Sequence, residues 1–279
     1  KVLLNNTHIS YVDYIANNDY SIYVKESILN GHFASEEYSL YTSANCFIYH
    51  IKTGENIFLH NKNVDINFNL DVNNNTANYI LKNSFLSLGN MNFNVDGNWI
   101  SNNNEQNIDI NINGKNINLS DFIKEIPNDY KSFLNDFDIS GNIDAECNLK
   151  GSLKNNNIPA ININAELKKG KFKQKSTGVA LENLNFSFVF DNGASRNPSS
   201  YSIIINNING KLKNGNIAGN IKLKNIKRPE IILNLNANLE LKDLNSFLKI
   251  DTIQDIKGSI NGNIFFKGQA NASGKFTAK

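Results

Sequence analysis

The chain has 279 residues and a formal net charge of +2, with 19% charged and 40% hydrophobic residues. That length allows one large or two modest domains with a sizeable core. The near-neutral balance argues against a strong electrostatic nucleic-acid binder, and the low charge argues against charge-driven disorder. Asn supplies 55 residues and Ile 35, and Lys outnumbers Arg 26 to 2. AT-rich codons account for much of that bias, and Asn fills polar positions that Lys and Glu usually take.

The sequence opens on Lys1, with no basic stretch leading into an apolar run. No stretch approaches the roughly 18 apolar residues of a membrane-spanning helix. The chain therefore reads as a piece of a longer protein whose other parts could hold a targeting signal or anchor. Two cysteines, Cys46 and Cys147, make neither a disulfide scaffold nor a metal site. Cys147 lies in phase with the apolar positions around it and reads as a small buried hydrophobe.

From about residue 60 the chain alternates apolar and polar residues. Val64, Ile66, Phe68, Leu70 and Val72 open the pattern. Met91, Phe93, Val95 and Trp99 continue it, then Ile108, Ile110 and Ile112. Ile161, Ile163, Ala165 and Leu167 follow, and then Leu184, Phe186, Phe188 and Phe190. Ile231, Leu233, Leu235, Ala237, Leu239 and Leu241 form the longest run, and Ile264 belongs to a last one. A period of two means strands with one apolar and one wet face, here mostly Asn.

Five Asn-Gly pairs are candidate hairpin turns: Asn113-Gly114, Asn192-Gly193, Asn209-Gly210, Asn214-Gly215 and Asn261-Gly262. At this Asn content some are chance pairs, and Asn261-Gly262 is compatible with a strand interior. The sum is an antiparallel meander of about 16 to 20 strands. About 18 strands at ~4.8 Å would extend ~85 Å, so strong curling is expected. Closure of the apolar face as a sandwich, a barrel or an open groove is left undecided by alternation.

Two segments break the alternation. Residues 120–136 carry Phe122, Ile126, Tyr130, Phe133 and Leu134 near helical spacing, with Ser120 as a candidate cap. Pro127 predicts two short helices or one kinked one. Residues 243–249 are a weaker echo. Each segment precedes an I-x-G-x-I phrase, Ile139–Ile143 and Ile256–Ile260, and the two phrases lie 117 residues apart. The predicted organisation is a β-rich segment over 1–118, a helix-plus-β module over 119–241, and the start of a second module over 242–279.

Chemistry is sparse. His8, His32, His50 and His60 sit in no ligand motif, and there is no nucleophile elbow, phosphate loop or H-E-x-x-H. Adjacent Glu36 and Glu37 point to opposite faces of a strand. No catalytic residue, metal or cofactor is expected. The aromatic residues on the apolar face serve either a packed core or a groove for acyl chains.

The strand blocks and the helix-then-I-x-G-x-I module resemble AsmA-like proteins. So do Asn216–Leu223, followed by Pro229-Glu230-Ile231-Ile232-Leu233, and the earlier phrase Ile28–Ala34. The Asn and Lys bias is similar to that of some Bacteroidota members. The resemblance implies a periplasmic envelope protein, anchored in the inner membrane by a helix this sequence lacks. It implies likeness to bridge-like lipid transfer proteins, whose curved β-sheets form a hydrophobic groove. It also implies a role in phospholipid supply to the outer membrane, with inner- and outer-membrane proteins as possible partners, and no catalytic residues.

The expectation is thus a mainly β, non-enzymatic groove segment that binds or conducts phospholipid acyl chains, with headgroups left in solvent. The lining would be Ile66, Phe68, Leu70, Met91, Phe93, Val95, Ile161, Ile163, Phe186, Phe188, Ile231, Leu233, Leu235 and Ile264. The alternatives are a structural or adhesive β-sandwich or solenoid with a dry core, and a carbohydrate-binding module. The carbohydrate reading is disfavoured because many aromatics share the apolar phase and Trp99 is the only Trp.

Overall fold

The computed structural model describes all residues except 16, 55, 103–105, 126–133, 155–156, 249–255, 271–275 and 279. The chain is mainly β. Its first strands are β1 (Val2–Asp13), β2 (Asn18–Gly31), β3 (Glu37–Thr53), β4 (Asn56–Asn73), β5 (Asn78–Leu88), β6 (Met91–Ser101) and β7 (Gln106–Asn118). Helix α1 (Leu119–Glu125) precedes β8 (Phe137–Ser152), β9 (Ala160–Gln174), β10 (Ala180–Asp191), β11 (Ser202–Leu212), β12 (Gly215–Lys224) and β13 (Glu230–Glu240). Helix α2 (Leu241–Leu248), β14 (Ser259–Ala270) and the short β15 (Phe276–Ala278) follow.

Every strand neighbours its sequence neighbour, in the order β1 to β15. β1 and β15 end that order, so the sheet is an open meander rather than a barrel. The described strands number fifteen, just under the predicted range, because several run longer than the alternation implies; β4 alone has 18 residues.

Of the five Asn-Gly pairs, Asn192-Gly193 and Asn214-Gly215 mark connections. The turn at the second pair is Lys213-Asn214, with Leu212 facing Gly215. Asn113-Gly114, Asn209-Gly210 and Asn261-Gly262 lie inside β7, β11 and β14. There glycine serves close packing instead: a Cβ on Gly210 would stand 3.1 and 3.2 Å from the Leu181 and Leu184 methyls.

Both predicted helical segments contain a short helix. α1 is capped by Asn118 rather than Ser120. The Asn118 side-chain oxygen accepts from the Ser120 and Asp121 backbone N–H groups at 2.9 and 3.3 Å. The segment predicted after Pro127 falls largely outside the described residues, and Phe137 already begins β8. The 243–249 echo is α2, which begins two residues earlier, at Leu241.

The chain divides into two compact units, 1–114 with 148–159, and 115–147 with 160–279. The second therefore spans both sides of the sequence boundary at 241/242. In the first, the buried apolar residues include Val24, Ala44, Ile48, Val64, Val72, Met91 and Val95. The polar face is tied by cross-strand pairs. Ser39 donates to Asp71 at 2.6 Å, Lys82 reaches Asp71 at 2.7 Å, Asn111 donates to Asn148 at 2.7 Å, and Lys150 meets Asp109 at 2.6 Å.

The second unit carries a crease. Asn116, Lys169, Asn183 and Asn207 sit inside strands with φ between 49 and 55°. Gly141 in β8 and Gly219 in β12 take φ 134 and 153° in the intervening strands. The β9–β10 and β10–β11 ladders shift register around Asn183, and the β11–β12 ladder shifts around Asn207. Such bulges bend a strand and free a backbone N–H from the ladder.

At three of the four, a side chain of the next strand takes up that N–H. Asn116 N–H donates to Asp144 Oδ1 at 2.8 Å, Lys169 N–H to Asn185 Oδ1 at 3.0 Å, and Asn207 N–H to Asn220 Oδ1 at 3.1 Å. The first unit uses the same device at Asn83, whose N–H donates to Asp96 Oδ1 at 2.6 Å. Asn suits the bulge itself because it tolerates positive φ better than other residues bearing a Cβ.

Beside the crease, Leu167, Leu181, Leu184, Leu212, Ala237 and Leu239 are buried. α2 belongs to this end. Phe247 lies 5.2 Å from Phe137, Thr177 Oγ1 donates to the Ser246 carbonyl at 2.8 Å, and Lys213 pairs with Asp243 at 2.6 Å. Leu241 N–H donating to the Gly258 carbonyl at 2.9 Å closes the base of the excursion.

Candidate functional site

The apolar face beyond the crease is the most distinctive surface of the second unit. Strand register arranges its side chains in rows that run across the strands. One row is Ile163, Phe190, Ile203, Leu223 and Ile231. The next is Ala165, Phe188, Ile205, Ile221, Leu233 and Phe266. All of these are half-buried. Six neighbouring strands at ~4.8 Å make the second row about 24 Å long.

The predicted lining residues divide accordingly. Ile161, Ile163, Phe186, Phe188, Ile231, Leu233, Leu235 and Ile264 are half-buried in the second unit. In the first, Ile66, Phe68, Leu70 and Phe93 are half-buried, whereas Met91 and Val95 are 3 and 7% exposed and belong to the core. Register joins Leu40, Leu70 and Leu81 in one row, and Ala44, Ile66, Leu86 and Phe93 in another. Trp99 is 44% exposed and rests against Tyr79 at 5.4 Å between ring centres.

Among the described residues, no group of three His, Cys, Asp or Glu could hold a metal ion. His8 Nε2 lies 2.9 Å from Ser21 Oγ, while Asp19 Oδ1 lies 2.9 Å from Nε2 of a different histidine, His50. The serine and the carboxylate therefore contact separate imidazoles, and these four residues form no Ser-His-Asp relay.

Cys46 and Cys147 are free, and Cys147 is half-buried rather than buried. Burial pushes the Cys46 thiol up, helped by the nearby Asp65 charge, and burial alone pushes Cys147 up. A raised thiol pKa disfavours the nucleophilic thiolate. The shifted carboxylates belong to the polar face. Hydrogen bonds from Lys82 and Ser39 hold Asp71 below the usual range, and those from Lys168 and the Asn116 N–H do the same for Asp144.

What this surface can do is bind apolar ligands by contact. It offers continuous aliphatic and aromatic side chains with no polar group within the two rows. The alternation locates these residues but not the crease, because Asn is too common here for three of its positions to announce a bulge. Lys169 carries no local signal for positive φ at all. No family model, curated protein or solved structure matches the chain. Among the described residues, no helix is long and apolar enough to cross a membrane.

Proposed function

We propose that this chain is a segment of a periplasmic AsmA-like protein that binds or conducts phospholipid acyl chains along the apolar face of its sheet. The observation that carries the reading is the half-burial of twelve of the fourteen predicted lining residues, seven of which the register aligns in rows. A dry sandwich core covers such rows with a second layer. Here the described strands form one sheet, and in the second unit the added helix α2 sits at the creased end.

Binding is passive in this reading. A buried methylene contributes about 0.8 kcal/mol, so a roughly sixteen-carbon chain with half its surface covered gains about 6 kcal/mol. A uniform lining lets the chain slide, because successive positions differ little in energy. The resemblance in sequence pattern adds the envelope setting, the inner-membrane anchor outside this sequence, and the outer membrane as destination.

The test is photocrosslinking with a diazirine-bearing acyl phospholipid. Leu233→Glu and Leu235→Glu place a charge on the face and are expected to lose crosslinking with β content unchanged. Asn234→Glu, on the opposite face between them, is expected to retain it. Equal crosslinking in folded Leu233→Glu and Leu235→Glu would refute the reading.

A further inference from the structure

The chain has only two arginines, Arg196 and Arg228, and the fold brings their two loops together at the open end of the apolar rows. Arg228 lies in the β12–β13 connection and Arg196 in the β10–β11 loop. The loops are bonded directly, Asn225 N–H to the Tyr201 carbonyl and Ile226 N–H to the Pro198 carbonyl, both at 2.9 Å. The β10–β11 loop is a built platform. Asn192, 1% exposed, accepts the Ile161 N–H on its side chain at 2.9 Å, and its carbonyl accepts Ser200 Oγ–H at 2.7 Å.

Lys227, next to Arg228 in the β12–β13 connection, adds a further cation to the same rim, whereas Lys222 and Lys224 in β12 alternate onto the opposite face. Among the described residues, Lys227 and Arg228 form no ion pair. On the polar face, by contrast, Lys168 meets Asp144 at 2.8 Å and Lys171 meets Glu182 at 2.6 Å. The nearby carboxylates have other partners: Asp191 accepts the Gly193 N–H at 2.6 Å, and Glu230, opposite Lys224 on the polar face, stands 3.7 Å from Lys267. Lys227 and Arg228 thus place two adjacent cations without an ion pair where the first apolar row, with Leu223 and Ile231, meets the loops.

We infer that this rim is a headgroup site that takes the phosphate of a lipid whose acyl chains lie on the adjoining rows. The inference rests on the acyl-chain reading for the lipid, while the phosphate chemistry stands on the rim alone. Arg offers a planar fork to phosphate oxygens, and lysines on long stems reach over an edge as point charges.

The experiment compares three probes on the whole chain in mild detergent: dioleoyl phosphatidylglycerol, dioleoylglycerol, and the chain-free sn-glycerol 3-phosphate. Native mass spectrometry follows the lipids and NMR shift titration follows the phosphate. The expected result is about tenfold tighter binding of the phospholipid than of the diacylglycerol, the scale of a few exposed charge pairs acting together. Lys227→Glu/Arg228→Glu is expected to remove that preference and the glycerol-phosphate shifts, while keeping diacylglycerol binding. Lys211→Glu/Lys242→Glu, an equal charge change near α2, is expected to leave both intact.

Equal affinity for the two lipids, or equal loss in both double variants, overturns the headgroup site and leaves the acyl reading standing. Glycerol phosphate bound without either lipid supports the rim's phosphate chemistry and overturns the acyl reading. Binding of none of the three overturns both.

Discussion

Gly219 and Gly262 make a matched pair for testing the crease. Both sit inside strands, with φ of 153 and 158°, a backbone that a residue with a Cβ adopts at a cost. A Cβ on Gly219 would lie 2.1 Å from the Asn234 carbonyl oxygen and 2.8 and 2.9 Å from Leu235 Cδ2 and Cα. A Cβ on Gly262 would meet nothing within 4 Å. The conformational term is shared, about 1–2 kcal/mol. Only Gly219→Ala must also push β12 away from β13, because the clash is with backbone and no rotamer change relieves it. Weakening the ladder there adds about 2 kcal/mol or more. The expected losses are about 3–5 kcal/mol for Gly219→Ala and about 1–2 for Gly262→Ala, read from urea midpoints by circular dichroism near 218 nm. Equal losses for the two variants would refute the steric account of the crease.

Other substitutions test the packing and the bulges. Leu167, 2% exposed beneath the crease, is expected to lose about 3–4 kcal/mol as Leu167→Ala, against about 1 kcal/mol for half-buried Leu233→Ala; similar losses on urea unfolding would count against a filled end and an open end. Asn220→Ala removes the acceptor for the Asn207 N–H and is expected to cost about 1 kcal/mol, with faster amide exchange at Asn207 than at Ile205; unchanged exchange would sink that role. Asp71 and Asp144 titrate below the ordinary carboxylate range in the folded chain, so their stabilisation is full above about pH 4 and lost as pH falls through their lowered values. The urea midpoint is expected to fall as pH drops below about 4, less steeply in Asp71→Asn/Asp144→Asn, and an identical slope in that variant would remove these two from the acid response.

Alternation alone establishes the fold class. A period of two sustained through Val64–Val72, Phe186–Phe190 and Ile231–Leu239 marks strands with one apolar face; its last member, Leu241, instead opens α2. It also places the lining residues on a common face, because side-chain direction in a strand follows position parity. Short connections such as Lys213-Asn214 favour antiparallel neighbours, so the meander order is legible too.

Parity is blind to distance along the strand, which is why Met91 and Val95 read like Phe93 although they are core. It is equally blind to a bulge: Asn183 and Asn207 look like any wet-face Asn until register shows an extra residue. Tertiary pairing decides where those bulges align from β7 to β12, which leucines pack beside the crease, and which rows stay open. It also decides that Arg196 and Arg228, 32 residues apart in sequence, share one rim. The cause is common to all four: each depends on hydrogen bonds between strands, and no local pattern records which residue of the next strand will be opposite.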